Sequence, residues 1–414
     1  MKKNGKRKKH LKPTHSMIFI KIVLVTYVAG GCIYWLFLLY IILRVIKSIP
    51  LLENLKYDKS REWPKVSVVI PACNEADTIE DAIQSRLQDD YPNIEILLID
   101  DRSTDGTSEI IDKIAAQDER VKAIHIKELP DGWLGKLYAM HRGVQEATGS
   151  WFLFSDADVF IKPTTLKRAI AYSEIRKLDH LAVFPEMYPT NFLLDTVLSM
   201  FIRMLCTWTR VWAIEDEKSK AFVGSGSFNL VRRTAFEKTK GFEWLKLEVC
   251  DDVALGQMLK KSGARSSLVN GRRYVGVHFY RSLGEMAIGS ERATFTVFGN
   301  FSAVRLFVMS LISFALEMSP FFALLVGNIP YIRLLGLTMI AVVLIISISV
   351  NRWMNRAILP ALFLPIGITI MTICNIRTAI LGAKRGGIIW RGTFYPTELL
   401  KKGRRLDFQF FSFK

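Results

Sequence analysis

Residues 151–160, with the sequence Trp-Phe-Leu-Phe-Ser-Asp-Ala-Asp-Val-Phe, give the strongest indication of how this chain folds. The first four residues are bulky and mostly aromatic, which is typical of a strand buried on both faces in a parallel sheet. Asp156 and Asp158 follow at the end of that strand. Ligands of open α/β sheets bind at the carboxyl ends of the strands, where carboxylates can hold Mg²⁺ together with substrate phosphates. The pair is therefore a candidate metal site; two solvated turn residues are the alternative.

Apolar and amphipathic segments alternate before residue 151. The pattern predicts strands at 66–70, 94–99 and 121–126, each followed by a helix. Strands that alternate with helices predict an α/β fold with a parallel, doubly wound sheet.

Clustered apolar stretches predict membrane helices. The chain has 414 residues, of which 50% are hydrophobic. Residues 17–46 form one predicted transmembrane helix after a basic tail at 1–16. The stretches 303–326, 334–350 and 357–375 predict three more transmembrane helices within 303–375, followed by a basic and aromatic tail at 376–414. Glu317 lies inside the first of these stretches and would face either the bundle or the lipid headgroups.

Residues 192–213 are apolar but contain Asp195, Arg203 and Arg210. Three charges are costly at the centre of a bilayer. We therefore expect an amphipathic helix that lies in the membrane interface, with a true span as the alternative.

The net charge of +17 is concentrated at the two ends of the chain. Seven Lys or Arg residues fall within 1–12 and seven within 384–405. Beside hydrophobic spans, such clusters are typical of segments attracted to anionic lipid. No nucleic-acid motif is present, so we expect a membrane partner and no nucleic acid. The five cysteines are isolated in sequence, which argues against a disulfide framework.

Four motifs occur in order along the chain. They are Val-Ser-Val-Val-Ile-Pro-Ala-Cys-Asn-Glu at 66–75, Ile-Asp-Asp-Arg-Ser-Thr-Asp-Gly-Thr at 99–107, Gly-Lys-Leu-Tyr-Ala-Met-His-Arg-Gly at 135–143 before Asp-Ala-Asp, and Cys-Asp-Asp-Val-Ala-Leu at 250–255. Together they resemble family-2 glycosyltransferases of the GT-A fold, over residues 64–300. The resemblance implies a Rossmann-like catalytic domain, mostly parallel in its sheet, attached to transmembrane helices.

The resemblance also implies roles for individual residues. The resemblance implies a nucleotide-sugar donor linked to UDP, and the candidates for binding it are Ala72, Asn74, Glu75, Asp101, Lys136 and Asp156. Asp158, with Asp156, matches the ligands of Mg²⁺ or Mn²⁺. Asp252 matches the catalytic carboxylate. The candidates on the acceptor side are Gly224, Ser225, Gly226, Asp251 and Arg292.

The implied chemistry is consistent with these residue types. A metal ion neutralises the leaving diphosphate as a Lewis acid, and one carboxylate takes the proton of the attacking hydroxyl. One base without an enzyme nucleophile gives a single displacement, and hence inversion. Two alternatives stay open: Asp252 could serve only the first turn of a helix, and His278 is either a further metal or phosphate ligand or a structural histidine.

The chain departs from the processive members of the family, which carry Gln/Arg-x-x-Arg-Trp after the base. Here Gly-Ser-Glu-Arg-Ala at 289–293 occupies the comparable region. This favours transfer of a single hexose to a membrane lipid, and the layout is similar to the hopanoid-associated and carotenoid-acid glycosyltransferases. A processive polysaccharide synthase and a catalytically silent membrane scaffold are the alternatives.

The expected topology contains a conflict. Nucleotide sugars require a cytoplasmic catalytic domain on the cell membrane, and four spans would then put both basic tails on the opposite side. The positive-inside rule favours basic segments in the cytoplasm. We therefore expect that one apolar segment of this multi-pass chain does not cross.

Overall fold

The computed structural model describes residues 15–325 and 330–407. Residues 1–14 of the predicted basic tail and residues 408–414 of the predicted C-terminal tail lie outside these ranges. A globular part, residues 49–302, stands between a long N-terminal helix and a group of C-terminal helices.

The globular part contains ten strands. They are β1 (Val66–Ala72), β2 (Ile94–Asp101), β3 (Val121–Ile126), β4 (Trp151–Phe154), β5 (Val159–Ile161), β6 (His180–Phe184), β7 (Glu186–Met187), β8 (Asn229–Arg232), β9 (Ser266–Asn270) and β10 (Val275–Val277). Seven of them form one sheet in the order β3-β2-β1-β4-β8-β6-β9, in which β8 alone is antiparallel to its neighbours. The predicted α/β class and mostly parallel sheet are confirmed.

Helices precede and connect these strands. They are α1 (His15–Ser48), α2 (Ile79–Leu87), α3 (Thr107–Gln117), α4 (Gly135–Glu146), α5 (Thr165–Ile175), α6 (Phe192–Trp208), α7 (Arg233–Glu237), α8 (Gly241–Leu245), α9 (Asp251–Lys261) and α10 (Leu283–Ala293). The predicted strands at 66–70 and 94–99 are each two residues longer, because Ala72 of β1 still pairs with Asp100 of β2.

A second sheet lies next to the end of β4. It has the order β5-β10-β7, and β5 begins directly after Asp158. The segment with Asp156 and Asp158 therefore passes from the large sheet to the small one, which fixes both of its ends.

The C-terminal helices are α11 (Ala303–Leu325), α12 (Pro330–Trp353), α13 (Ile358–Ala361) and α14 (Leu364–Arg385), and they are followed by β11 (Gly387–Trp390), β12 (Thr393–Pro396) and α15 (Thr397–Gly403). The last apolar stretch, expected at 357–375, is divided differently. Pro365 suits the first turn of a new helix, so residues 357–363 form a separate short turn. The helix then continues past Asn375, because Arg377 pairs with Glu291 of α10.

Five helices of the described chain are long and apolar enough to cross a membrane: 19–48, 192–213, 303–325, 331–353 and 364–385. Several outward side chains on them are apolar and well exposed, for example Ile33 (70%), Val304 (74%) and Leu334 (61%). Apolar surface of this extent marks contact with a membrane or a partner.

Both ends of α6 contact the globular part. Before its first turn ends, Asp195 accepts a hydrogen bond from Arg356, which also donates to the main-chain oxygen of Met187 in β7. Beyond its last turn, Glu215 accepts from Ser267 of β9 at 2.6 Å.

The same is true of α14. Residues before it are fixed by Arg356, whose Nη1 lies 2.7 Å from the oxygen of Met187. At its far end, Arg385 pairs with Glu291 of α10 at 3.1 Å. The chain after it runs back over the globular part, where the main-chain N–H of Leu406 donates to Glu248.

A buried ion pair joins three of the apolar helices. Arg203 of α6 and Glu317 of α11 form two hydrogen bonds, at 3.0 and 2.5 Å, and both side chains are at most 2% exposed. The hydroxyl of Tyr34 in α1 donates to the same carboxylate, and the Arg203 guanidinium lies 4.9 Å from the ring centre of Trp35. Glu317 therefore faces the bundle and not the headgroups.

Candidate active site

The ends of β1 and β2 bring the predicted donor residues together. Ala72 is buried at the end of β1. Asn74 follows with a positive φ of 56°, and its side-chain oxygen accepts from the main-chain N–H of Thr104 after β2. The main-chain N–H of Glu75 donates to Thr107 at the start of α3. The two loops are thus tied to each other at the carboxyl edge of the sheet.

Asp101, at the end of β2, is the buried carboxylate of this group, with 4% exposure. Its neighbour Arg102 donates to it from Nε at 2.8 Å. The position at the strand end agrees with the role implied for it in donor binding, and Arg102 supplies the balancing charge.

Lys136, in the first turn of α4, connects two of the motifs. Its Nζ lies 2.7 Å from Oδ1 of Asp156 and 3.0 Å from Oδ2 of Asp251. Burial lowers the pKa of the Lys136 ammonium, but its neighbouring carboxylates, chiefly Asp156 and Asp251, raise it above its usual range. The lysine therefore remains a cation between the carboxylate after β4 and the one that begins α9.

Asp252 is oriented by main-chain donors. Its Oδ2 accepts from the N–H of Gly226, and its Oδ1 accepts from the N–H of Val253, each at 2.8 Å. Its main-chain oxygen would lie 1.8 Å from a Cβ at Gly224, so a larger residue there would collide with α9. The Asp252 carboxylate therefore accepts a hydrogen bond from the first turn of α9 and also lines the cavity.

The glycine-rich turn at 224–226 separates Asp252 from Asp156. The N–H of Asp156 donates to the oxygen of Gly226 at 2.8 Å, and a Cβ on Gly226 would lie 2.5 Å from the Asp156 carboxylate. Ser225 in this turn is 7% exposed and Asp251 is 6% exposed. Gly226 therefore lies between the two carboxylates, and Ser225, Gly226 and Asp251 of the predicted acceptor side line the cavity.

Asp158 carries the strongest sign of crowding by like charges. Burial, together with the charges of Asp156 and Glu75, raises its pKa to about 7 against the opposing charge of Arg86. A divalent cation would relieve this repulsion, so the residues fit such an ion. Magnesium is commonly held by one or two carboxylates with phosphate oxygens completing its shell. No group of three or more His, Cys, Asp or Glu side chains in residues 15–325 and 330–407 is placed to hold a metal alone.

A cavity of about 260 Å³ opens among these residues. Its lining includes Lys136, Asp156, Asn229, Asp251 and Asp252. The two halves of the motif set, one after β4 and one at the start of α9, thus face a common space.

Arg86 is a residue of this site that the sequence reasoning missed. It lies on α2 with 2% exposure, and its Nη2 donates to the Ser155 hydroxyl at 2.8 Å and to the main-chain oxygen of Asp156 at 2.6 Å. Its position seven residues after Ile79, on the buried face of α2, was the available signal. An arginine at such a place needs an acceptor inside the protein.

His180 and Asn229 form a layer behind the site, which the sequence reasoning also missed. Nε2 of His180 lies 2.5 Å from the side-chain oxygen of Asn229, whose Nδ2 donates to the main-chain oxygen of Asp252 at 3.3 Å. Burial lowers the pKa of His180 to about 4. This neutral histidine therefore supports the start of α9 from behind.

Two further predicted candidates lie outside the cavity. Arg292, on α10, stacks at 4.5 Å over the ring of Trp390 in β11. His278 packs edge-on against Tyr188, and in the described part of the chain it belongs to no metal-binding group. The interpretation of His278 as a structural residue fits this packing.

Comparison with known proteins identifies the domain. Residues 67–240 match the sequence model of glycosyl transferase family 2. Residues 67–240 form a family-2 glycosyltransferase domain. This confirms the resemblance drawn from the four motifs: those at 99–107 and 135–143 lie wholly inside the matched residues, that at 66–75 starts one residue before them, and that at 250–255 lies beyond them.

Two curated relatives share part of the chain. TuaG of Bacillus subtilis, a glycosyltransferase named for teichuronic acid biosynthesis, is 32% identical over 109 residues, which cover 26% of this chain and 42% of TuaG. The glycosyltransferase GlyG of Streptococcus pneumoniae is 30% identical over 123 residues, covering 30% of this chain and 39% of GlyG. The matched segment spans less than half the length of either relative.

A solved structure shares the fold over most of the chain. The mannosyltransferase PcManGT of Pyrobaculum calidifontis, determined with GDP-Man and Mn²⁺, superposes with a TM-score of 0.52 and 16% identity. The superposition covers 88% of this chain and 98% of PcManGT. The family-2 domain therefore has the GT-A fold expected from its motifs.

Proposed function

We propose that the protein transfers a single hexose from a nucleotide-sugar donor, linked to UDP, to a membrane lipid acceptor with inversion at the anomeric carbon. One observation carries the proposal: Asp156 and Asp252 face the same cavity at the carboxyl edge of the sheet, with Asp158 beside them. In the proposed reaction Asp156 and Asp158 serve the side of the donor diphosphate, and Asp252 serves the side of the attacking hydroxyl.

The donor side is built by residues from three strand ends. Asn74, Glu75 and Asp101 are placed to hold the base and ribose, next to Ala72. Lys136 adds a positive charge near the diphosphate. That PcManGT was solved with GDP-Man and Mn²⁺ supports a nucleotide sugar and a divalent ion for this chain as well.

Asp158 and Asp156 would hold the Mg²⁺ or Mn²⁺ ion, which as a Lewis acid neutralises the leaving diphosphate. Asp252 takes the proton from the acceptor hydroxyl. The two N–H groups that bind its carboxylate fix its direction, and each oxygen keeps a lone pair free for the proton. Because no residue attacks the sugar, the displacement is single and the configuration inverts.

The membrane arrangement follows from the ends of the helices. We assign α1, α11 and α12 as crossing helices and place α6 and α14 at the membrane surface, since both ends of each contact the globular part. A helix that begins and ends on one side of a bilayer has not crossed it.

Three crossings remove part of the topological conflict. The basic residues between 384 and 405 then lie on the side of the globular part, which we place in the cytoplasm, as the positive-inside rule favours. An acceptor lipid can reach the cavity along the surface helices. The basic tail at 1–16 would lie on the opposite side.

The proposal is tested by assaying the purified protein with Mn²⁺, UDP-sugars or GDP-mannose, and a bacterial lipid extract. We expect a lipid product carrying one sugar, with the anomeric configuration opposite to that of the donor by nuclear magnetic resonance. A long polymer would indicate the processive synthase. Failure to hydrolyse or transfer any donor would indicate the silent scaffold.

A further inference from the structure

The hairpin formed by β11 and β12 lies over the donor side of the site. Its strands pair from Gly387 with Pro396 to Trp390 with Thr393. Within the hairpin, the side chains of the pair Ile388 and Tyr395 are buried. Those of the next pair, Ile389 and Phe394, are 47% and 48% exposed. The hairpin therefore has one face toward the globular part and one away from it.

The turn of this hairpin is unusual in sequence. Arg391 and Gly392 are its two central residues, and both have positive φ, 47° and 79°. Two-residue turns with this conformation prefer Asn, Asp or Gly at the first position, because a side chain there is strained. An arginine with positive φ suggests a role for its side chain that offsets the strain.

That side chain reaches into the donor site. Arg391 forms an ion pair with the carboxylate of Glu75 after β1. Glu75 in turn lies close enough to Asp156 and Asp158 for their charges to act on one another. The guanidinium is thus placed beside the group of carboxylates assigned to the metal ion and the diphosphate.

Two other residues keep the hairpin at this place. The ring of Trp390 lies under the Arg292 guanidinium. On β12, burial raises the pKa of the Tyr395 phenol, and the charges of Arg102 and Asp101 act on it in opposite directions. The hairpin therefore bridges α10 and the ends of β1 and β2.

We propose that Arg391 is a donor-binding residue that leaves Glu75 and binds the diphosphate when the nucleotide sugar enters. The inference rests on the proposed function. The Arg391 side chain is 49% exposed, so its guanidinium can turn from the Glu75 carboxylate, itself 19% exposed, toward a ligand in the site. A guanidinium binds phosphate oxygens through two parallel hydrogen bonds, which are stronger than hydrogen bonds between neutral groups.

The test compares a nucleoside diphosphate with its nucleoside on the full-length protein in detergent with Mn²⁺. UDP, uridine, GDP and guanosine are titrated by calorimetry into the wild type and into Arg391→Gln. We expect Arg391→Gln to bind the preferred diphosphate roughly 10-fold to 100-fold more weakly, the usual effect of a charged hydrogen bond. Nucleoside binding should change less than about twofold, because the base and ribose contacts lie elsewhere.

Two variants separate binding from folding. Arg391→Lys should recover part of the lost affinity, since it keeps the charge but not the planar fork. Ile389→Ala, on the exposed face of the same hairpin, should bind both ligands as the wild type does.

Three outcomes would overturn the inference. Unchanged diphosphate affinity in Arg391→Gln, or an equal loss for diphosphate and nucleoside, would remove Arg391 from the diphosphate site and leave the proposed function intact. A wild type that binds neither UDP nor GDP would overturn both proposals together.

Discussion

The helix cluster and the strand edge both bury charged side chains, and the two regions differ in how those charges are balanced. Among the apolar helices, Arg203 and Glu317 neutralise each other through two hydrogen bonds, and Tyr34 occupies a further acceptor position. In the candidate active site, Lys136 is shared by Asp156 and Asp251, and among the described residues Asp158 forms no ion pair.

The comparison separates a structural cluster from a functional one. A buried pair whose hydrogen bonds are all satisfied has nothing left to offer a ligand. Carboxylates in excess at a strand edge repel one another, and a cation together with a phosphorylated ligand would relieve them. Removing residues should therefore cost stability in the helix cluster and activity at the strand edge.

The largest effect should come from the metal side. We expect Asp158→Ala to lower turnover below detection, because only Asp156 and Asp158 are proposed to hold the ion and the variant removes one of them. The apparent melting temperature should stay near that of the wild type, because the residue lies past the end of β4. Donor turnover and thermal unfolding check this, with Glu119→Ala at the opposite edge of the sheet as control. Full wild-type activity in excess chelator would contradict the metal assignment.

The strand ends could be predicted from sequence because local rules determine them. The aromatic run at 151–154 and the carboxylates after it needed only strand periodicity and the binding rule for open sheets. The position of Arg86 depended on the same periodicity, but an arginine on an apolar helix face has no acceptor visible in sequence. Its partners, Ser155 and the oxygen of Asp156, come from 69 and 70 residues away.

The next effect concerns the base. Asp252→Asn should slow the chemical step by roughly 10²–10⁴-fold, the usual contribution of a general base. The loss should appear in kcat with little change in donor KM, because the donor contacts lie at Asp101, Asp156 and Asp158. The amide can still accept from Gly226, so the turn at 224–226 should keep its shape. Steady-state kinetics decide the point, and a variant within about twofold of wild type would exclude Asp252 as the base.

The surface position proposed for α14 could not be predicted from sequence. Its composition is that of a crossing helix, and only contacts distant in sequence, Arg356 to Met187 and Arg385 to Glu291, place both of its ends on one side. The hairpin turn at Arg391 was missed for a similar reason: its ion-pair partner Glu75 lies 316 residues earlier. Local periodicity carries no information about such contacts.

The helix cluster should respond in stability. Glu317→Ala leaves the buried Arg203 guanidinium without a carboxylate to balance its charge, and such a change typically costs about 3–5 kcal/mol. The double variant Arg203→Met with Glu317→Leu should lose much less, since apolar side chains can replace a buried pair. Apparent unfolding in detergent compares the three proteins. Equal losses of stability in the single and double variants would mean that the attraction between Arg203 and Glu317 itself stabilises the bundle, and that the cost does not come from leaving one charge unpaired.

The smallest effect tests the layer behind the active site, which is buried like the helix cluster but uncharged. His180 has a pKa of about 4 in the folded protein, against about 6.5 in an unfolded chain. Its contribution to stability is therefore complete above about pH 6.5 and is lost as the pH falls toward 4, because the unfolded chain takes up the proton first. At pH 5.5 the loss should be on the order of 1 kcal/mol. Unfolding of the wild type and of His180→Gln at pH 7.5 and 5.5 measures it: the variant should show the smaller pH dependence, and an equal dependence in both proteins would mean that His180 does not titrate in this range.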